Sequence, residues 1–239
     1  MYSVHISTTC VRRPQINFMK NQKTVIAQGE SRPPRRSKYR HGDLYRALLE
    51  AGVELARTGG PDAVVLREVT RQAGVVPNAA YRHFADRQAL LEAVCDAAQA
   101  RLALAIETEL AALPKKKDAV KAARGRLRAI GAAYIKFARA EPGLFRTAFS
   151  VPANLDGSAS PAKAGSSGLS PFQHLSAALD ALADVGALSA ERRKGAEFLA
   201  WSAVHGLAIL VLDGPLRHLD DAQTTAIGQR LLEMVEQGL

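Results

Sequence analysis

Asn78 and Arg82 stand four residues apart in the stretch PNAAYRHF (77–84), one helical turn from each other. An asparagine amide pairs bidentately with the N6/N7 edge of adenine, and a guanidinium does the same with O6/N7 of guanine. Tyr81 and His83, beside them, carry groups that hydrogen-bond phosphate oxygens, which fixes a helix on a duplex without reading its sequence. Ala79 and Ala80 are too small for polar readout, though either fits against a thymine methyl. The plainer alternatives are a solvated surface charge for Arg82 and a core role for Phe84 and, in part, Tyr81.

The flanking residues supply what would position such a helix. Leu66, Val69 and Ala73 recur at three- and four-residue spacing, which predicts a short helix over 66–73. Gly74 ends it, because glycine accepts a positive φ. Val75 and Val76 plug the angle, and Pro77 sets a helical φ at a first position where its missing N–H costs nothing. Asn78 to Phe84 then forms the second helix of a helix-turn-helix, the one that enters a major groove. An amphipathic helix precedes the pair (Leu44, Leu48, Ala51, Leu55), with Asp43 as candidate N-cap and an end near Thr58 before Gly59-Gly60-Pro61. After it, Asp86 caps a long helix from Arg87 to Leu113, striped with Leu91, Val94, Ala98, Leu102, Ile106 and Leu110. At 1.5 Å per residue it spans about 40 Å, enough to join two parts of the molecule rigidly.

This stretch resembles the TetR family of transcriptional regulators. The residues that carry the likeness are LREVTRQAGVVPNAAYRHF (66–84), its Tyr81-x-His83-Phe84 signature and the run-on ADRQALLEAV, with Arg87 in the usual lysine place and Leu90 in the apolar place that follows. It covers about residues 42–102. Arg82 is a departure, since the family is often aromatic there, so operator contact at this position need not follow the family pattern. The residues assigned to DNA are Arg40, Thr70, Pro77, Asn78, Ala80, Tyr81, Arg82 and His83.

Beyond Pro114 and Lys115-Lys116-Lys117, a solvated turn, the sequence predicts helices over 118–140, 144–149, 171–185, 190–212 and 220–237. Residues 151–170 are rich in Ala, Gly, Pro and Ser and read as a flexible loop. FARAEPGLFRTAFS (137–150) and WSAVHGLAILVLDGPL (201–216) resemble the Trp-His-Gly type of TetR C-terminal domain, over about residues 118–215. That likeness implies a dimer built on the last two helices. Leu199, Ala203, Leu207 and Leu210, with Ile227, Leu231, Met234 and Val235, make their stripes more apolar than a monomer surface needs. A two-fold dimer would set two recognition helices about 34–36 Å apart and select a palindromic operator. The resemblance also gathers Tyr134, Phe137, Phe145, Phe149, Trp201 and His205 around one core. Aromatic walls with a few polar tips suit a small-molecule effector; an ordinary packed core is the competing reading, and for His174 and His205 a satisfied core histidine.

Net charge is +9, and nine basic residues against Glu30 place +8 of it in residues 1–42. That segment lacks periodicity and reads either as a disordered solubilising tail or as a basic arm reaching DNA phosphates or the minor groove. No apolar core follows a basic start, so a signal peptide fits poorly. Met19 opens MKNQKTVIAQ, which reads like an ordinary start, with 1–18 as an upstream extension. No run reaches the roughly 18 apolar residues of a membrane span. Cys10 and Cys95 lack metal-ligand neighbours, which argues against zinc and for a reduced, cytoplasmic setting. No nucleophilic triad, phosphate loop or paired carboxylates point to an enzyme. The sequence thus predicts an all-α chain with a basic arm (1–38), a helix-turn-helix domain (42–102) and a helical ligand-binding and dimerisation domain (103–239). The expected partners are double-stranded operator DNA, a small-molecule effector and a second copy of the chain, with no cofactor, metal or membrane. Its expected role is a ligand-released repressor; the alternative is a helical DNA-packaging protein without sequence preference, for which the C-terminal half has no evident task.

Overall fold

Capping side chains and turn residues set where the helices begin and end. The computed structural model describes residues 41–152 and 159–239, with side chains from Leu44 onward. Arg40, the rest of the basic arm and Cys10 lie outside the described residues. Among the described residues the chain is all-α: α1 (His41–Gly59), a 3₁₀ turn (Pro61–Ala63), α2 (Leu66–Gln72), α3 (Pro77–Ala80), α4 (Arg87–Ala111), α5 (Ala119–Ala140), α6 (Pro142–Ala148), a second 3₁₀ turn (Pro161–Lys163), α7 (Pro171–Asp184), α8 (Ala190–Arg193), α9 (Ala196–Leu212) and α10 (Asp221–Gly238). Asp86 accepts the Ala89 N–H at 2.8 Å to start α4, and Asp118 accepts that of Lys121 at 3.0 Å to start α5. Ser170 and Asp220 form capping boxes with Gln173 and Gln223 at the heads of α7 and α10. No described helix is long and apolar enough to cross a membrane.

Three expectations are corrected. The helix expected over 190–212 is two, because Gly195 sits at φ +74° and breaks the run between α8 and α9. The second motif helix is one turn, Pro77–Ala80, not 78–84. The chain turns through 81–83 so that Phe84 re-enters the core and Asp86 can start α4. Residues 159–170 are not a loose loop: Lys163 is buried there, and Ser166 and Ser167 are tied to Glu107 of α4. Composition suggests a linker, whereas the partner that orders the segment lies some sixty residues away in sequence.

α4 is the axis. Leu48, Val64, Val69, Ala80 and Phe84 share one buried cluster with its Leu90, Leu91, Val94, Leu102 and Ile106, and α4 packs on α1, α5, α6 and α7. The buried stripe continues through Leu102 and Ala103, so α4 serves both sides of the boundary expected there. At 25 residues it is about 37 Å long. A second cluster, with Leu127, Leu175, Leu179 and Ala200, sits between α5, α7 and α9.

A joint holds α6 between α1 and α4. A Cβ on Gly143 would lie 2.3 Å from the carbonyl oxygens of both Ala56 and Arg57, so only glycine lets α6 seat on the end of α1. Arg57 pairs with Glu141 across the same contact. At the other end of α6, the Cys95 thiol donates to the Thr147 carbonyl at 2.6 Å and Gln99 Nε2 donates to that of Ala148 at 2.9 Å. Both bonds fasten the helix end to α4, and the Thr147 carbonyl accepts from the Ser150 N–H at 3.1 Å as well. Burial pushes the Cys95 thiol up, away from the reactive thiolate, which suits this structural role.

Candidate functional site

The turn between α2 and α3 is a complete Schellman motif. Gly74 (φ +69°) donates to Arg71 at 3.2 Å, and Val75 donates to Thr70 at 3.0 Å. Val76 is extended, as a residue before proline must be, and Pro77 opens α3. Val69, Thr70, Ala80 and Phe84 form the inner side of this corner. Pro77, Asn78, Tyr81 and Arg82 form the outer side, with Tyr81 57 % exposed. Arg82 is exposed and has no ion-pair partner among the described residues.

His83 is half-buried, and its ring meets the Tyr45 ring edge-on at 6.1 Å. Its Nε2 is buried without a hydrogen-bond partner among the described residues. Two further residues support the corner: Tyr45, which was not read from the sequence, and Arg87, which was read only as standing in the family's lysine place. Tyr45 of α1 stacks on Phe84 at 5.2 Å and so floors the recognition turn. Arg87 donates to the carbonyls of Val64 and Pro61, each at 2.9 Å, which ties the start of α4 to the segment before α2.

Thr70 and Ala80 are corrected as DNA contacts. Thr70 is 1 % exposed and its hydroxyl donates to the Arg67 carbonyl at 2.9 Å, while Ala80 is fully buried. Both lie on the inner face of the corner. Arg40 lies outside the described residues.

The second candidate is a cavity of about 470 Å³ between α4, α5, α6, α7 and α9. Tyr134, Phe149, Trp201 and His205, four of the six residues assigned to a ligand, line it. The Trp201 indole N–H donates to the Tyr134 hydroxyl at 3.1 Å, and that hydroxyl lies 2.7 Å from His205 Nδ1. An indole can only donate, so the phenol accepts from Trp201, while the direction of its bond with Nδ1 is set by the His205 tautomer. Burial raises the Tyr134 phenol, which stays protonated, and lowers the His205 imidazole, which stays neutral.

Phe145 and Phe137 are corrected as wall residues. Phe145 is fully buried behind the wall, with its ring 5.3 Å from Phe149 and 5.6 Å from His205. Phe137 packs into the core and does not line the cavity. His174 is a satisfied core histidine, 3.4 Å from Glu107 and from the Ser167 hydroxyl.

Gln99, Phe172, Ser202 and Lys163 line the cavity without having been expected there. Lys163 is 6 % exposed, and its ammonium lies 3.7 Å from Asp96 of α4. Burial raises the Asp96 carboxyl, against the pull of Lys163. Eleven residues along α4, Glu107 accepts the N–H groups of Ser166 and Ser167 at 3.0 and 2.9 Å and both of their hydroxyls. Burial alone would raise this carboxyl, but the serine bonds outweigh it and hold it at about 2.

Two family models match the chain: one described as bacterial regulatory proteins of the tetR family, over residues 48–94, and one described as a tetracyclin repressor-like C-terminal domain, over 127–235. No curated protein gives a significant sequence match. Among solved structures, a protein with unknown function from Rhodococcus sp. RHA1 is 27 % identical, with 83 % of this chain and 98 % of that one covered and a TM-score of 0.56. The transcriptional regulator FadR from Bacillus subtilis, in complex with stearoyl-CoA, is 12 % identical, with coverage of 82 % and 99 % and a TM-score of 0.56. A TetR variant from Acinetobacter baumannii AYE, in complex with minocycline, is 16 % identical, with coverage of 80 % and 93 % and a TM-score of 0.54. At these identities the last two show a shared fold.

Proposed function

The chain belongs to the TetR family and is a DNA-binding transcriptional regulator, not an enzyme; from that premise we propose that it is a homodimeric repressor released from a palindromic operator by a small molecule bound beside Trp201. Asn78 and Arg82 read base edges in the major groove, and Tyr81 with His83 holds phosphates.

A dimer through α9 and α10 is supported by the apolar side chains left outside. Leu199, Leu210, Ile227 and Met234 are 64 %, 42 %, 37 % and 60 % exposed, and all lie on these two helices. Gly206 is exposed on α9, where a small residue permits close helix approach. Pairing the two helices with their copies removes this surface from water and gives the two-fold symmetry that a palindrome mirrors.

The observation that carries the ligand reading is the position of α6. Its C-terminal end, Ala148, and the next residue, Phe149, wall the cavity, while its second residue, Gly143, rests on the backbone of α1. Gln99 of α4 lines the same cavity and holds the Ala148 carbonyl. A ligand that displaces Phe149 therefore acts on a seven-residue helix that abuts both α1 and α4. It shifts DNA affinity only to the extent that it binds one setting of the recognition turns better than the other. That FadR and the Acinetobacter TetR variant hold stearoyl-CoA and minocycline supports the reading that the fold accommodates such ligands.

Trp201 is the only tryptophan of the chain and lines the cavity, so its fluorescence reports occupancy directly. The test is a small-molecule panel screened by this signal, with each binder then tested for release of bound DNA. Binders are expected to lower DNA affinity and to bind His205→Ala more weakly. Binders that fill the cavity and leave DNA affinity unchanged would overturn the repressor mechanism.

A further inference from the structure

We propose that the ligand of this cavity is an uncharged, flat aromatic molecule carrying a hydroxyl group, and that His205 Nε2 is the atom that recognises the hydroxyl. The inference rests on the cavity being an effector site. Four of its lining side chains are aromatic rings: Tyr134, Phe149, Phe172 and Trp201. Neighbouring rings among them lie 6.0–6.2 Å apart and are inclined by 41–74°. A flat ring stacked on one therefore meets the next edge-on, and these are the two arrangements aromatic pairs favour. The lining also offers no unbalanced charge. Among the described residues that line the cavity, Lys163 is the one charged side chain, and it is already paired with Asp96 at 3.7 Å. A carboxylate or an ammonium entering beside that pair would leave water without a counter-charge of its own, whereas an uncharged aromatic body gains by leaving water.

Apolar walls hold many guests alike, and a few placed polar groups tell them apart. Among the neutral polar groups of the lining, Gln99 is held by the Ala148 carbonyl, the Trp201 N–H by the Tyr134 hydroxyl, and that hydroxyl by His205 Nδ1. Ser202 is exposed, where water competes for its hydroxyl. His205 is half-buried, and its Nε2 bonds to no other described residue. The imidazole stays neutral, so one ring nitrogen donates and the other accepts. If Tyr134 donates to Nδ1, then Nε2 carries the proton and donates; if Nδ1 carries it, Nε2 accepts. A hydroxyl both donates and accepts, so it pairs with Nε2 in either tautomer, whereas an ether or a ketone pairs with only one. The ring is also fixed in advance. Tyr134 holds it at 2.7 Å, and the buried Phe145 ring packs 5.6 Å away. A partner held in place before the ligand arrives loses less freedom on binding.

The test is equilibrium dialysis of the full-length protein at neutral pH against three probes built on one ring system: 2-naphthol, naphthalene and 2-naphthoate. 2-Naphthol is expected to bind about tenfold or more tightly than either of the others. His205→Phe should remove its advantage over naphthalene, and His205→Gln, whose amide both donates and accepts, should keep part of it. In nitrogen NMR of the wild type, the His205 ring resonances, assigned by their loss in His205→Gln, should shift far more with 2-naphthol than with naphthalene. Naphthalene or 2-naphthoate bound as tightly as 2-naphthol, or a hydroxyl preference that survives His205→Phe, overturns the inference while leaving an occupied cavity. Bound 2-naphthol that leaves DNA affinity unchanged overturns the effector reading and leaves the ligand class standing. If no probe binds, both fall. Should His205→Phe misfold, the wild-type spectra decide: a His205 Nε2 resonance that does not respond to 2-naphthol sinks the proposal.

Discussion

Replacing Gly143 by alanine tests whether α6 is a seated strut between the cavity and the DNA-reading end. The added Cβ would lie 2.3 Å from the Ala56 and Arg57 oxygens and 2.8 Å from the Arg57 carbonyl carbon. Carbon and oxygen rest at about 3.3 Å or more, so α6 must back away from α1 by about 1 Å. Both obstacles are backbone, and no side-chain rotation relieves them. Overpacking of this kind costs about 1–3 kcal/mol, and the upper half applies where backbone must move. Alanine returns about 0.5–1 kcal/mol by its better helix propensity, which leaves a net loss of about 1–2.5 kcal/mol. For a chain of this size that lowers Tm by about 2–10 °C. Gly125→Ala is the control: it lies within α5, and a Cβ there meets only the Lys116 Nζ, at 3.5 Å. It should stabilise by about 0.5–1 kcal/mol. Thermal unfolding followed by circular dichroism measures both, and DNA titration of Gly143→Ala should show altered affinity at temperatures where the protein is still folded. A Gly143→Ala variant as stable as Gly125→Ala, with DNA affinity unchanged, would refute the strut.

Arg82→Ala should cost about 1–3 kcal/mol at a cognate site and relax preference at one base position, read by competition among single-base operator variants. Tyr81→Phe should weaken all duplexes more evenly, as loss of a phosphate contact does. Leu199→Glu combined with Met234→Lys should give a monomer by sedimentation at micromolar concentration, because both side chains project from the apolar face of α9 and α10. Glu107 predicts an acid dependence: its folded-state pKa, about 2, lies below the 4.5 of the unfolded chain. The stability it contributes is therefore complete above 4.5 and lost as pH falls toward 2. Glu107→Gln should be less stable at neutral pH and show a shallower loss over that window in urea unfolding.

The motif was legible because its parts are local. Gly74, Pro77 and the Leu66-Val69-Ala73 spacing each act within a few residues, and the structure makes a Schellman turn and a proline-started helix of them. The two misplaced DNA contacts could have been read from the same spacing. Thr70 is four residues from Leu66, and Ala80 four from Phe84, so each shares a face with a residue already assigned to the interior. The cavity was half legible. Tyr134, Phe149, Trp201 and His205 come from segments with a family pattern, but nothing in Phe137 or Phe145 tells wall from filling. Lys163 and Glu107 were not legible at all. Their partners are distant in sequence, and the Ala/Gly/Pro/Ser composition of 151–170 reads as a linker until Glu107 is seen beneath it. The base-reading helix was overestimated because the pattern of 78–84 suits a helix, while the turn before α4 cuts it to one turn.

Recognition of a two-fold symmetric DNA sequence by this chain is tested by selection from sheared genomic fragments followed by sequencing of the bound fraction. Enrichment is expected of a palindrome whose half-sites lie about one helical turn or a multiple apart, bound at moderate salt and lost in the Leu199→Glu/Met234→Lys variant. Uniform recovery of fragments, with affinity that collapses steeply as salt rises, would contradict it.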